Sequence, residues 1–305
     1  MDPITRDFYE ERRRKWRRSA FWRGFFVALA VAGIAAAVFG SGEIETRRAH
    51  IARVEVSGVI ADDPDRDRML ETIADDDAVK AVVLRINSPG GTTAGSEALY
   101  DSLRMIAVKK PVVAELGEIA ASGGYVAAIA ADHVVARGNT LTGSIGVIME
   151  YPDLTQIMSR LGIGLETVRS SELKAEPSPF RPTNPEARAR DEALVADGFA
   201  WFRDLVGERR HLDGAALDAV ANGGVFSGRL ALDAGLVDEI GGEPQAIAWL
   251  DSRDRALSGL PVREWQVERE ERGLAGRLLG SMGTTGGILG EISRLTGPKL
   301  YSLGP

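Results

Sequence analysis

Two short segments of this 305-residue chain carry residue types that can do acyl-transfer chemistry. In Ala120-Ala121-Ser122-Gly123-Gly124-Tyr125, a serine sits in a turn of small residues ahead of an alanine-rich stretch, 125–131. Glycines at 123 and 124 let a substrate come close to the backbone. A helix beginning there turns its positive dipole end toward a developing oxyanion. In Ser171-Glu172-Leu173-Lys174-Ala175, a lysine sits in a polar loop. A hydroxyl is a poor nucleophile until a base takes its proton, and a lysine whose ammonium form is disfavoured by burial can be that base. Each residue also has a plainer reading: Ser122 as a helix cap, Lys174 as a solvated surface side chain.

Two further positions fit around such a pair. Gly91 follows Pro89-Gly90, where no side chain blocks an amide from pointing into a crevice. With the Ser122 amide it would make an oxyanion hole; the alternative is an ordinary Pro-Gly turn. Ser144, in Thr142-Gly143-Ser144-Ile145-Gly146, offers a hydroxyl that can hold a neutral lysine amine without restoring its charge. Other chemistries fit poorly. With no cysteine there is no disulfide, thiolate metal site or thiol nucleophile. The three histidines show no triad pattern, and Gly-x-Ser-x-Gly is absent around Ser122. No His/Asp/Glu group has metal spacing and no phosphate-binding glycine loop occurs, so no metal or other cofactor is expected.

These residues need elements to hold them. A strand is expected at 50–60, a helix at 65–75, and a short, nearly all-apolar strand at 81–87, the pattern of a buried parallel sheet. A loop at 88–91, a helix at 95–108 and a buried strand at 111–116 follow. Ser122 then opens a helix, and the chain returns as a strand at 133–136. Strands alternating with helices argue for an α/β fold with parallel pairing, and its chemistry belongs at the C-terminal ends of the strands. Gly91 and Ser122 both fall just after strands, so they can share one crevice. A long helical stretch covers 184–210, and a turn with a short helix runs from 226 to 242.

The ends of the chain differ from its middle. Residues 1–23 are rich in arginine, and 24–42 carry no charge. As a helix those 19 residues would reach roughly 28 Å, about one bilayer core. Aromatic residues near the basic end suit an interfacial belt, and the basic flank followed by Glu43 and Glu45 orients the N-terminus inside and the rest outside. This reads as an uncleaved transmembrane anchor in contact with membrane lipid, rather than a cleaved signal peptide with its shorter apolar core. The formal net charge is −7, and the basic end hides a more acidic soluble part, which argues against a nucleic-acid partner. The soluble domain is expected over 49–261, followed by a Gly-rich C-terminal tail, 262–305, with one amphipathic stretch at 272–279.

The motifs occur in a familiar order: Arg85-Ile86-Asn87-Ser88-Pro89-Gly90-Gly91, then 120–125, then Leu141-Thr142-Gly143-Ser144-Ile145-Gly146-Val147, then Lys174 and Ser178-Pro179-Phe180. In this the chain resembles the S49 family of Ser/Lys-dyad signal peptide peptidases, over about residues 54–242. The resemblance implies a ClpP/crotonase-like ββα spiral, forming a single soluble domain behind the N-terminal anchor. It implies a serine endopeptidase in which Ser122 is the nucleophile and Lys174 the base. Gly91 and Ser122 would supply the oxyanion amides, and Ser144 would orient the lysine. It further implies signal peptides and other hydrophobic peptides as substrates. The protein would sit in the bacterial cytoplasmic membrane with its catalytic domain outside, in a homo-oligomeric ring whose neighbouring protomers complete each site. Two other classes remain open: a crotonase-like acyl-CoA enzyme, and an inactive scaffold that binds membrane-protein fragments.

Overall fold

A computed structural model describes residues 22, 25–31, 48–267 and 301–303. Two compact units divide the chain, Met1–Ala49 and His50–Pro305. In the first, residues 25–31 are helical. The rest of the expected 24–42 span lies outside the described residues. No described helix is long and apolar enough to cross a membrane.

The second unit is built on a largely parallel sheet. Its strands are β1 (His50–Ile60), β2 (Val79–Thr92), β3 (Val112–Ala121), β4 (His133–Ala136), β5 (Leu141–Gly143), β6 (Val225–Ser227), β7 (Glu239–Ile240) and β8 (Val262–Trp265). The main path runs β6-β5-β3-β2-β1-β8. Strand β3 splits its partners. Its first half pairs with β4, Val113 opposite His133, and its second half with β5, Ala121 opposite Gly143. The apolar alternation sets the two faces. Ala52, Val82, Leu84, Val112 and Ala114 join the main core. Their neighbours Ile51, Ala81, Val83 and Val113 pack instead with Ala246 and Leu250.

Helices α1 (Pro64–Asp75), α2 (Thr93–Lys109), α3 (Gly123–Ile129), α4 (Thr155–Arg160), α5 (Pro185–Arg210), α6 (Gly214–Val220), α7 (Gly228–Asp233) and α8 (Glu243–Arg253) complete the unit. Their starts follow capping chemistry. Asp63 caps α1 and precedes Pro64, and Asn184 caps α5 and precedes Pro185. Helix α5 ends where His211 adopts a left-handed φ of 55°.

Two segments depart from expectation. Residues 88–91, expected as a loop, are the end of β2. Register shifts at Ser57/Val59 and Ile86/Ser88 absorb the irregular Ser-Pro-Gly-Gly run, and Gly90 and Gly91 still pair with Val59 and Ile60. Past Pro261 the chain does not turn at once into a tail, because β8 pairs with β1 and places Trp265 opposite Val54. The amphipathic stretch expected at 272–279 lies outside the described residues. A last strand, β9 (Tyr301–Leu303), pairs antiparallel with Gly90–Thr92 of β2.

Candidate active site

Ser122 follows the last residue of β3 and precedes the first of α3. Its backbone has φ 56° and ψ −119°, a conformation an L-residue adopts only under constraint, at a cost of about 1–3 kcal/mol. Ser122 is the N-cap residue of α3 through its backbone, its carbonyl accepting from the Tyr125 and Val126 N–H groups, but its side chain makes no capping hydrogen bond. Instead the Ser122 N–H donates to Gly143 O at 2.8 Å, pinning the turn to the end of β5.

That bond corrects one expectation. The Ser122 amide, expected as an oxyanion donor, is already committed to a carbonyl in this conformation. The next amide is better placed. Gly123 is the first residue of α3, so its N–H has no intrahelical acceptor. A Cβ at Gly123 would lie 3.2 Å from the Gly91 nitrogen, so these two backbones share one crevice, as the strand-end argument required. The signal for Gly123 was present in the sequence, since the residue after a helix-opening serine always carries an orphan amide.

Glycine is obligatory around this crevice. A Cβ at Gly91 would fall 1.7 Å from Ile60 O, and one at Gly124 would fall 2.7 Å from Ser88 O. Ser88 braces the strand that carries Gly91: its hydroxyl donates to Gly58 O at 2.6 Å and accepts from the Gly90 N–H at 3.1 Å.

Ser144 is brought to the same place. It is 5% exposed and follows Gly143, the residue opposite Ala121, so Ser122 and Ser144 lie just past neighbouring strand ends. Both Gly143 and Ser144 have positive φ, 79° and 51°. The Ser144 N–H donates to Gly224 O, and Thr142 Oγ1 donates to Ala120 O at 2.7 Å, fastening β5 to β3.

Lys174 is not brought to them within one chain. Ser122 is 0% exposed, whereas Lys174 is exposed and makes no side-chain hydrogen bond or ion pair among the described residues. Its loop is nonetheless organised. Glu176, two residues on, is held by Arg169 and by Arg181, the latter at 2.8 Å, and the Glu176 side chain is only 3% exposed. Burying that carboxylate between two guanidiniums ties the two arms of the loop together.

The histidines take no part. His133 lies opposite Val113, at the far end of β3 from Ser122, on the order of 25 Å along the strand. It stacks on Trp249 at 4.9 Å between ring centroids. Beyond Ser144, a groove of about 1270 Å³ runs between residues 145–152 and α5, with Val147, Ile148, Met149, Tyr151 and Phe199 on its walls.

Comparison with known proteins shows the family. Residues 105–257 match the model of peptidase family S49, and residues 58–140 match that of the Clp proteases. The protein slr0021 of Synechocystis sp., named as a protease, is 35% identical over 66% of this chain and 73% of its own length. The chain belongs to peptidase family S49. It is therefore a member of a family of proteases, with the α/β sheet of the Clp-like architecture. An Enterococcus faecium protein named for signal peptide peptidase SppA is 30% identical over 82% of this chain and 78% of its own. Protease 4 of Haemophilus influenzae is 33% identical over 72% of this chain, but the match spans only 37% of that protein.

Proposed function

We propose that this protein is a membrane-anchored serine endopeptidase that degrades signal peptides and other hydrophobic peptides, with Ser122 as nucleophile and Lys174 as base. The observation that carries the reading is the Ser122 turn: a strained serine beside the Gly91 and Gly123 amides. A neutral Lys174 amine takes the proton from Ser122 Oγ. The oxygen attacks the peptide carbonyl, and the Gly91 and Gly123 amides hold the resulting oxyanion. The proton passes to the leaving amine. Lys174 then activates a water that releases the acyl group and regenerates the serine. Ser144 holds the lysine amine in line. The apolar groove beyond Ser144 suits extended apolar substrates.

Lys174 reaches Ser122 from a neighbouring protomer of a ring. The exposure of Lys174 in one chain, against the full burial of Ser122, supports an intermolecular dyad. The 24–42 run anchors each subunit with the catalytic unit on the outer face of the cytoplasmic membrane.

Complementation tests this directly. Ser122→Ala and Lys174→Ala are purified separately and each is expected to be inactive on a quenched-fluorescence apolar peptide. Mixed one to one under subunit exchange, random assortment gives about a quarter of the sites an intact serine and an intact lysine. Recovery of about a quarter of wild-type activity is the expected result. No recovery, with exchange confirmed by labelled subunits, rejects the intermolecular dyad. Full activity of the unmixed Ser122→Ala protein rejects the serine.

A further inference from the structure

Ser96 brings a buried hydroxyl to the crevice that the proposed chemistry does not use. It lies in the first turn of α2 and is fully buried. Burying a hydroxyl costs free energy unless it is hydrogen-bonded. The Ser96 hydroxyl donates to Thr92 O at 2.9 Å, four residues back. Serines in helices make that bond commonly, and an exposed one would need no further account. Here the other side of the oxygen meets a second element. A Cβ at Gly123 would fall 2.2 Å from Ser96 Oγ, and 3.2 Å from both Ser96 Cβ and the Gly91 nitrogen. The hydroxyl on α2, the first residue of α3 and the amide nitrogen of Gly91 on β2 therefore crowd one point. With its proton spent on Thr92 O, the oxygen turns lone pairs toward the Gly123 Cα–H, a weak contact that matters for its closeness.

The turn that carries Ser96 is itself held in place. Thr92, the residue after Gly91, caps α2 through Oγ1, which accepts from the Gly95 N–H at 3.2 Å. Gly95 is pressed against the chain leaving β1, since a Cβ there would lie 2.6 Å from Ala61 C and 2.7 Å from Asp62 N. The first turn of α2 is thus wedged between the exit of β1 and the start of α3. Ser96 Oγ is the nearest atom to the Cβ position of Gly123. Through Thr92 O the same hydroxyl grips the strand end that carries Gly91.

We propose, resting on the peptidase reading of the Ser122 crevice, that Ser96 is a positioning residue: its hydroxyl fixes the distance between the Gly91 and Gly123 amides that receive the oxyanion. It touches neither the substrate nor the reacting atoms. Its effect is felt where two amides must converge on one charged oxygen, which is in the transition state rather than in the bound peptide. Without the hydroxyl, a gap the size of an oxygen opens beside Gly123 in a closely packed wall. The start of α3 relaxes into it and the two donors spread. The loss then falls on kcat and not on KM.

Ser96→Ala in the full-length protein, in detergent, tests this. Both kcat and KM are measured on a quenched-fluorescence apolar peptide. Inhibition is measured with a peptide aldehyde, whose carbonyl oxygen becomes an oxyanion when Ser122 Oγ adds to it, and with the matching alcohol, which cannot be attacked. The expected kcat is about tenfold lower with KM within about twofold, since a sub-ångström shift costs less than the roughly 10²-fold of a full ångström. The aldehyde is expected to bind about tenfold more weakly and the alcohol as tightly as before, with a melting midpoint close to that of the wild type. An equal loss for aldehyde and alcohol overturns the role, as does an unchanged kcat and aldehyde affinity in the folded variant. If the alanine variant melts early, Ser96→Cys, which fills the gap but presses on Gly123, provides the same aldehyde-to-alcohol comparison. A wild type that cleaves no peptide and binds the aldehyde no better than the alcohol overturns the peptidase reading, and this role with it.

Discussion

Substituting Gly91 by alanine tests the oxyanion assignment with a displacement that can be worked out beforehand. The added Cβ would lie 1.7 Å from Ile60 O, 2.5 Å from Ile60 C and 2.6 Å from Ile60 N. All three are backbone atoms of the neighbouring strand, so no flexible side chain can yield. Restoring a 3.0 Å contact to the oxygen requires β1 and β2 to part by about 1.3 Å at this point. Two consequences follow. Overpacking of this kind costs about 1–3 kcal/mol of stability. The Gly91 amide also moves by more than an ångström relative to Gly123 and Ser122. Misplacement by about 1 Å costs on the order of 10²-fold, and loss of one oxyanion donor about 10²–10³-fold. The assay is kcat/KM on a quenched-fluorescence apolar peptide, alongside a thermal melt. Rates are normalised to the folded fraction, so that stability and chemistry separate. The expected result is a folded protein with kcat/KM reduced about 10²–10³-fold. Activity within about threefold of wild type in the folded Gly91→Ala protein would refute the role given to this amide.

Three further outcomes follow from the same structure. Lys174→Arg is expected to be as inactive as Lys174→Ala in the peptide assay, because a guanidinium does not give up its proton in a protein site; substantial turnover would leave the base unidentified. Glu176→Gln is expected to lower kcat about tenfold by loosening the Arg169–Glu176–Arg181 clamp that carries the Lys174 loop, with a melting midpoint close to that of the wild type; unchanged kcat would separate the clamp from catalysis. Asp238→Asn is expected to cost about 2 kcal/mol in chemical denaturation at neutral pH. Burial alone would raise the Asp238 carboxyl, but its bonds to Arg210, the Arg210 charge and the Val134 N–H outweigh this and hold it below the usual 3.8. A depressed folded value stabilises above the unfolded value and ceases to do so as pH falls through the folded one. The gap between variant and wild type should therefore be full at pH 7 and close only below about pH 4; a gap that stayed constant into acid would contradict the pairing.

Sequence alone determined the elements whose signals are local. Asp63-Pro64 and Asn184-Pro185 announce helix starts through capping and a preset φ, and both helices begin there. The apolar runs around Val82 and Val113 announce buried parallel strands, because both faces of such strands must be covered. That Ser122 would follow a strand and open a helix was legible, and the structure places it between β3 and α3, where crevices of α/β folds form. The motif order was legible too, and it pointed to the S49 family before any geometry.

Other features depend on contacts far apart in the chain, which no local window contains. Residues 88–91 look like a turn, yet pairing with Val59 and Ile60 draws them into β2. The Ser122 amide looks free until Gly143 O arrives from β5 and takes its hydrogen bond. Val262–Trp265 looks like the start of a tail until β1 offers it an open edge. Lys174 is the extreme case. Only the family resemblance singles it out, and within one chain its side chain stays in solvent, since a polar loop gains nothing by burying a charge that no described residue pairs.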